Sequence, residues 1–329
     1  MEQISSEYRD LALSSPPQVV RVATGEEALA ELRQGRYDLV ITMSQVVDLD
    51  PCEFCSQAFT VQPDVPVVLL AAGPEELQVF RNVEDRKGID KVFYWTGDSS
   101  LFIAITKYVE DKANVAADTK LGTVKAILVI EDSPIDYSAF LPVLYTEVMR
   151  QTQALIAAGL NEQEKWFRKK SRPKVLLAES FDEARQLYER YKKNLLGIIT
   201  DVAYPRGGKI EEDAGFQFIE EVVDEDLPIL IQSHRGEHKR RADQLGVSFR
   251  EKSSETLTQE IRAFLKQRLG FGDFVFLRPD GSEVARVSEI DEFVNVIQRV
   301  PLESIRYHGL KNDFSRWLLA RGETTLALE

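Results

Sequence analysis

The chain has only 2 cysteines and 3 histidines in 329 residues, so a disulfide-stapled class is excluded. Positive charge is the minority sign: 41 Lys and Arg face 54 Asp and Glu, a formal charge of -13. That is the wrong sign for a protein whose main partner is nucleic acid or an anionic membrane. No run approaches the roughly 18 apolar residues of a membrane-spanning helix, and no signal-peptide pattern follows Met1, so the cytoplasm is the expected compartment. What is present is 43% hydrophobic and 29% charged, enough apolar matter for a packed core and unlike a disordered or collagen-like chain. The length is roughly twice that of one compact domain, so two domains and an appendage are expected.

Residues 1–17 read as a polar, broken helix stopped at Ser14-Ser15-Pro16-Pro17. A repeating pattern then begins. VVRVAT (19–24) reads as a strand, GEEALAELRQG (25–35) as an amphipathic helix and YDLVITM (37–43) as a buried strand. VPVVLLAA (65–72), KVFYW (91–95) and a helix presenting Leu101, Phe102, Ile105, Tyr108 and Val109 complete the series. DKANVAADTKLG (111–122) reads as a linker, and the pattern restarts with KAILVI (125–130), KVLLAES (174–180), LLGIIT (195–200), LPILIQS (227–233), VSFRE (247–251) and a helix burying Leu257, Ile261, Phe264 and Leu265. Continuous apolar strands alternating with amphipathic helices imply an α/β fold with a parallel sheet covered on both faces. The same grammar twice implies tandem related domains. After Gly270-Phe271-Gly272, a helix stop, FVFLRPDGSEVARV (274–287) reads as a hairpin, followed by helical stretches at 288–299 and about 302–320. Domains are therefore expected at 1–115, 124–269 and 270–329, with the linker at 116–123.

In a doubly wound sheet the carboxyl ends of the strands converge where the strand order reverses. In the second unit that edge collects Glu131 and Asp132 after the first strand, Asp201 after the third, Ser233 at the end of the fourth and Lys252 beside the fifth. Neighbouring carboxylates repel and favour a hard divalent cation such as Mg²⁺. An aspartate beside such an ion can attack phosphorus, because the ion offsets the charge of the incoming phosphoryl group while Lys252 and Ser233 bind its oxygens. The product is an acyl phosphate on Asp201. Any one strand-end acid is more often a helix cap; five groups in this order are hard to explain that way.

ILVIEDS (127–133), LLGIITD (195–201), LPILIQS (227–233) and FREKS (249–253) resemble the signature segments of a two-component response-regulator receiver domain, over about 124–269. The resemblance implies two flavodoxin-like domains in tandem, the first degenerate. It implies Asp201 as phosphoacceptor, Glu131 and Asp132 with the Ala203 carbonyl as the Mg²⁺ pocket, Ser233 as switch hydroxyl, Phe249 as switch aromatic and Lys252 as phosphate-binding lysine. The implied partner is a sensor histidine kinase or phosphotransfer protein in a bacterial phosphorelay, with no nucleic acid and no membrane. The chain departs from the pattern in three places. Ser253 stands where receivers usually have Pro; the loop YPRGGKIEEDAG (204–215) is long; and about twenty residues (MRQTQALIAAGLNEQEKWFRKKSR, 149–172) extend the first helix past an expected kink at Pro142. That amphipathic insertion is expected to pack on a neighbouring domain or a second subunit, which leaves a homodimer open. Its Trp166, Phe167, Arg168, Lys169 and Lys170 read as a solvated helix end rather than an RNA contact.

The same alignment puts Met43 at the Asp201 position, Ala71 near that of Ser233 and Trp95 near that of Lys252, so the first unit keeps no phosphoacceptor. It also lacks an evident first strand. Its Cys52-Glu53-Phe54-Cys55 lacks nearby histidines for zinc and reads as two buried or half-buried thiols. His234, Arg235, His238, Lys239, Arg240 and Arg241 read equally as a partner face or a solvated basic helix. YHGLKNDFSRWLLARGE (307–323) with GFGDFVFLRPDG (270–281) resembles the connector of receiver-containing phosphoenolpyruvate synthase or pyruvate phosphate dikinase-like proteins, whose output region would lie beyond Glu329. On periodicity alone Phe314, Trp317 and Leu318 are a helix face in need of a partner.

The expected function is a phosphorylation-dependent signalling module, with no turnover beyond its own phosphorylation and dephosphorylation, regulating a phosphoenolpyruvate synthase-like output region. Two rivals remain: a phosphorylation-independent dimerising scaffold, and a haloacid-dehalogenase-like phosphatase. The latter needs a second acid two residues after the nucleophile, where this chain has Ala203.

Overall fold

The apolar runs become strands and the amphipathic stretches become helices over most of the chain. The computed structural model describes residues 17–46, 48–80, 88–121, 124–157, 172–223, 227–252, 256–323 and 326–327. Its elements begin with α1 (Gly25–Gln34), β1 (Val40–Met43), α2 (Pro51–Val61), β2 (Val67–Ala71), α3 (Pro74–Val79), β3 (Lys91–Tyr94) and α4 (Ser100–Leu121). They continue with β4 (Ala126–Ile130), α5 (Pro134–Ala157), β5 (Lys174–Ala178), α6 (Phe181–Tyr191), β6 (Leu195–Asp201), a hairpin of β7 (Tyr204–Arg206) and β8 (Lys209–Glu211), α7 (Ala214–Glu221), β9 (Ile229–Ser233), α8 (Lys239–Gln244), β10 (Ser248–Glu251) and α9 (Leu257–Gln267). The tail adds β11 (Phe274–Leu277), β12 (Glu283–Val287), α10 (Ile290–Ile297), α11 (Leu302–Gly309) and α12 (Asp313–Ala320). The expected helix at 1–17 lies outside the described residues except Pro17, as do Trp166 to Lys170 and Ser253. Among the described residues no helix is long and apolar enough to cross a membrane.

The chain divides into two units, residues 1–112 with 133–145 and residues 113–132 with 146–329. The second contains a five-stranded sheet in the order β10-β9-β6-β4-β5 with every pair parallel. Numbered within the unit this is 2-1-3-4-5, the flavodoxin-like doubly wound order, which reverses between β4 and β6. β4, β5 and β9 are buried at every position and β6 at all but its last, as a sheet covered on both faces requires.

The first unit contains three parallel strands in the order β1-β2-β3, with β2 wholly buried. It corresponds to the third, fourth and fifth strands of the other sheet. The expected strand at 19–24 does not form: residues 17–22 belong to no regular element, and Val19 and Val20 are 41% and 56% exposed. In the 2-1-3-4-5 order this strand would pair only with the first strand, which is absent among the described residues; a strand without a neighbour leaves its backbone groups to water. β1, expected as buried, is half-buried with Met43 exposed, because it is an edge. The edge of β3 is covered by a helix instead of a strand. The Tyr94 N–H donates to Ser138 Oγ at 2.8 Å, the Tyr137 hydroxyl donates to the Val92 carbonyl, and Phe93 meets Tyr137 edge-on at 5.3 Å. Side chains of α5 thus occupy backbone groups that would otherwise invite strand pairing.

The stretch expected as a linker at 116–123 is helical to Leu121, the end of α4. No Gly or Pro interrupts residues 100–121, and the alanines and lysines there are good helix formers. α5 runs through Pro142 to Ala157, so the extension of this helix is present, and the insertion beyond residue 157 lies outside the described residues until 172. In the tail, the stretch expected as one helix over about 302–320 is two. It breaks after Gly309, and Asn312 caps α12 with a left-handed φ of 55°. Trp317 and Leu318 are buried against Phe274, Phe276, Val287 and Phe293, so the face that lacked a partner in the sequence finds one in the tail's own hairpin and α10. Gly270, at φ 77°, ends α9 where a Cβ would lie 2.8 Å from the Trp317 Cα, which confirms the helix stop.

Candidate functional site

Both units start a helix with the same device. Thr24 Oγ1 accepts the Glu27 N–H at 3.2 Å while Glu27 accepts the Ala23 N–H; Ser180 Oγ accepts the Glu183 N–H at 3.2 Å while Glu183 accepts the Glu179 N–H. These reciprocal caps resemble a capping box. The chemistry of the two units differs downstream.

At the switch point of the five-stranded sheet, Glu131, Asp132 and Asp201 each offer a carboxylate oxygen, all within 4.8 Å of one another. It is the one such group of acidic, Cys or His residues among the described residues. Lys252 Nζ lies 2.7 Å from Glu131 Oε2 and 2.9 Å from Asp201 Oδ2. Glu131 and Lys252 are buried, whereas the Asp201 side chain keeps 14% of its surface exposed. Burial, and then the adjacent Asp201 charge, push the Asp132 carboxyl up to about 6. A close cluster of three hard oxygen donors, with one carboxyl strained toward its neutral form, fits a divalent cation such as Mg²⁺.

Asp201 is held at the mouth by its own loop. Its Oδ1 accepts the Val202 N–H at 2.7 Å, and the Gly215 N–H donates to the Val202 carbonyl at 2.8 Å. A Cβ on Gly215 would lie 2.1 Å from the Asp201 carbonyl oxygen, so only glycine lets the start of α7 approach this closely. Ala203 lies between Val202 and Tyr204. The long loop that follows is the β7–β8 hairpin, turned by Gly207 and Gly208 at φ 58° and 80°. It is pinned by Arg206, which bonds Glu221 at 2.7 Å and stacks over Phe181 at 4.1 Å.

Ser233 ends β9, and its Oγ is 2.8 Å from His238 Nδ1 and accepts the Arg235 N–H at 3.1 Å. The structure therefore brings Glu131, Asp132, Asp201 and Lys252 into direct proximity, with Ser233 on the adjacent strand end turned toward His238. Phe249 on β10 is half-buried against the core. Sequence reasoning missed Gly215, Gln232 and Arg250, and gave His238 no partner. Gln232 stands out in the sequence as a polar residue after the apolar run of β9, whereas nothing in Ser248-Phe249-Arg250-Glu251 marks Arg250 as buried.

Within the basic segment 234–241, Arg241 bonds Asp213 at 2.9 Å and Glu220 at 3.3 Å, and Arg235 meets Glu212 at 3.4 Å. Cys52 is half-buried and Cys55 buried; both are free thiols, and burial pushes Cys55 up to about 12. That state is unreactive near neutral pH.

The carboxyl edge of the first unit is closed differently. Met43, Ala71 and Trp95 stand at or just beyond the ends of β1, β2 and β3. Glu76 of α3 accepts hydrogen bonds from Ser44 Oγ, from Gln45 Nε2 at 3.2 Å and from the Ala72 N–H at 2.8 Å. The Ser44 hydroxyl first, then the Ala72 N–H, hold this carboxyl below its usual range.

No protein-family model matches the chain, and no curated protein matches it. A solved structure described as "probable two-component system response regulator/GGDEF domain protein" is similar at 16% identity and a TM-score of 0.29, covering 82% of this chain and 94% of that one.

Proposed function

We propose that the second unit is a phosphoryl-accepting signalling module in which Asp201 takes the group from the phosphohistidine of a sensor kinase or phosphotransfer protein. The observation that supports it is the partly exposed Asp201 carboxylate, 2.9 Å from a buried lysine and within 4.8 Å of two further acids. An Asp201 oxygen lone pair attacks phosphorus, the P–N bond breaks, and its electron pair returns to the donor imidazole. Glu131, Asp132 and Asp201, with the Ala203 carbonyl, would hold Mg²⁺, which supplies charge neutralisation for the phosphoryl oxygens. Lys252 gives a second positive charge to those oxygens. As the phosphoryl group draws Ser233, the hydroxyl leaves His238 and Arg235, and Phe249 follows, altering the surface of β10 and its flanking helices for a partner. A phosphoenolpyruvate synthase-like output region is the partner suggested by the resemblance of the tail.

Incubation with acetyl phosphate and Mg²⁺ tests this reading by intact-mass measurement. The parent gains one phosphoryl group, and Asp201→Asn gains none; equal uptake by both would remove Asp201 from the role. One observation favours the scaffold reading, namely that Lys252 already bridges two of the carboxylates. A melting temperature unchanged by Mg²⁺ and beryllofluoride would select that reading.

A further inference from the structure

Two buried polar side chains behind the acidic pocket have no part in the chemistry above. In the sheet register Asp201 pairs with Gln232, and Gln232 pairs with Arg250; Ile130 pairs with Thr200, so Glu131 stands level with Asp201 one rung further on. Glu131, Asp201, Gln232 and Arg250 therefore form one row across β4, β6, β9 and β10. Gln232 and Arg250 are 1% and 4% exposed, Gln232 following three apolar residues in β9 and Arg250 being the one buried residue of β10. Gln232 Nε2 donates to Glu131 Oε2 at 3.1 Å, and Arg250 Nη2 donates to Gln232 Oε1 at 3.1 Å.

The chemistry of this chain is directional. A guanidinium can only donate and an ionised carboxylate can only accept, so the group between them must do both, and an amide is the neutral side chain that does so. Arg250 fixes which way the Gln232 amide faces, and the amide then fixes a Glu131 oxygen that also meets Lys252 at 2.7 Å. Removing Gln232 alone would take one hydrogen-bond partner from each of two buried charged groups, which is costly. The same strand carries Phe249 immediately before Arg250 and leads into Lys252, so the relay joins β10 to the acids through side chains as well as backbone.

We propose that Arg250 and Gln232 are positioning residues that orient Glu131, so that the cation affinity of the Glu131–Asp132–Asp201 cluster is set from β10. The proposal rests on the reading of that cluster as a Mg²⁺ pocket. It does not require that Asp201 accept phosphoryl. By linkage, a cation bound at the cluster and a partner that displaces Arg250 would alter each other's affinity by one factor.

The test is calorimetric titration of the full chain with Mg²⁺, alongside melting in EDTA. Because Gln232→Met alone takes a hydrogen bond from two buried charged groups and risks misfolding, the decisive variant is the double Gln232→Met/Arg250→Met, which removes both relay side chains at similar volume. Its Mg²⁺ Kd is expected to rise about tenfold, the usual scale for groups that orient metal ligands, while Arg250→Lys, which keeps a donor to the amide, stays within about threefold of the parent. In the metal-free protein Arg250→Met shifts the Gln232 side-chain amide resonances. A folded double variant with the parent's Kd, or a parent that binds no Mg²⁺, overturns the proposal. A parent that binds Mg²⁺ tightly, weakens as expected in the double variant and takes no phosphoryl leaves the relay standing and overturns the phosphoacceptor reading.

Discussion

The two sheets share three adjacent parallel strands in the same order, and their ends are chemically opposite. Where β6, β9 and β10 lead to Asp201, Ser233 and Lys252, β1, β2 and β3 lead to Met43, Ala71 and Trp95. The contrast extends to how each edge treats a carboxylate. Glu76 is saturated by donors and lowered, as a closing brace would be; Asp132 is desolvated beside Asp201 and raised to about 6, as a group poised for an ion would be. The frame of this fold thus tolerates either a braced edge or a frustrated one, and only the second offers chemistry.

The sharpest attempt to break the contrast is to move the acid. Met43→Asp placed in the Asp201→Asn background is expected to remain wholly unlabelled by acetyl phosphate in mass measurements, because Trp95 stands where the lysine would and, among the described residues, no first strand brings a second acid to the new carboxylate; a gain of one phosphoryl group would show that the frame alone suffices.

A smaller effect is expected from Lys252→Met. It leaves Glu131 and Asp201 without their shared cation, at a cost of about 3 kcal/mol in urea unfolding, and millimolar Mg²⁺ should recover much of it. Loss without recovery would mean the acids do not hold an ion.

The smallest effect belongs to the braced edge. Glu76→Ala is expected to cost about 1 kcal/mol at pH 7 and to leave Mg²⁺ affinity unchanged. Because its folded carboxyl is lowered, the stabilisation is present above the unfolded value of about 4.3 and is lost as pH falls through the folded one. The difference between parent and variant in chemical unfolding should therefore shrink below about pH 4.

Much of the second unit was legible in its sequence. β4, β5, β6 and β9 carry continuous apolar runs, so periodicity and length located them, and the residues at and just after the strand ends named the acids, the hydroxyl and the lysine. Gln232 and Arg250 were not legible, because their meaning lies in a register between strands distant in sequence. The first unit was legible only in part. VVRVAT carries the composition of a strand and forms none, since strand formation needs a neighbour that composition does not report. The polar run at 111–121 looked like a linker and is helix, since polarity alone does not break a helix free of Gly and Pro.

The sequence by itself determined the alternation of elements, the doubly wound class and which polar residues arrive at the edge of the second sheet, because these depend on near neighbours along the chain. Tertiary structure alone decided that β3 is capped by side chains of α5, that Glu76 braces the edge of the first sheet, that the tail closes over its own Trp317, and that Arg250 reaches Glu131 through Gln232. Each of these is a contact between distant segments, and its energy exists only once the chain has brought them together.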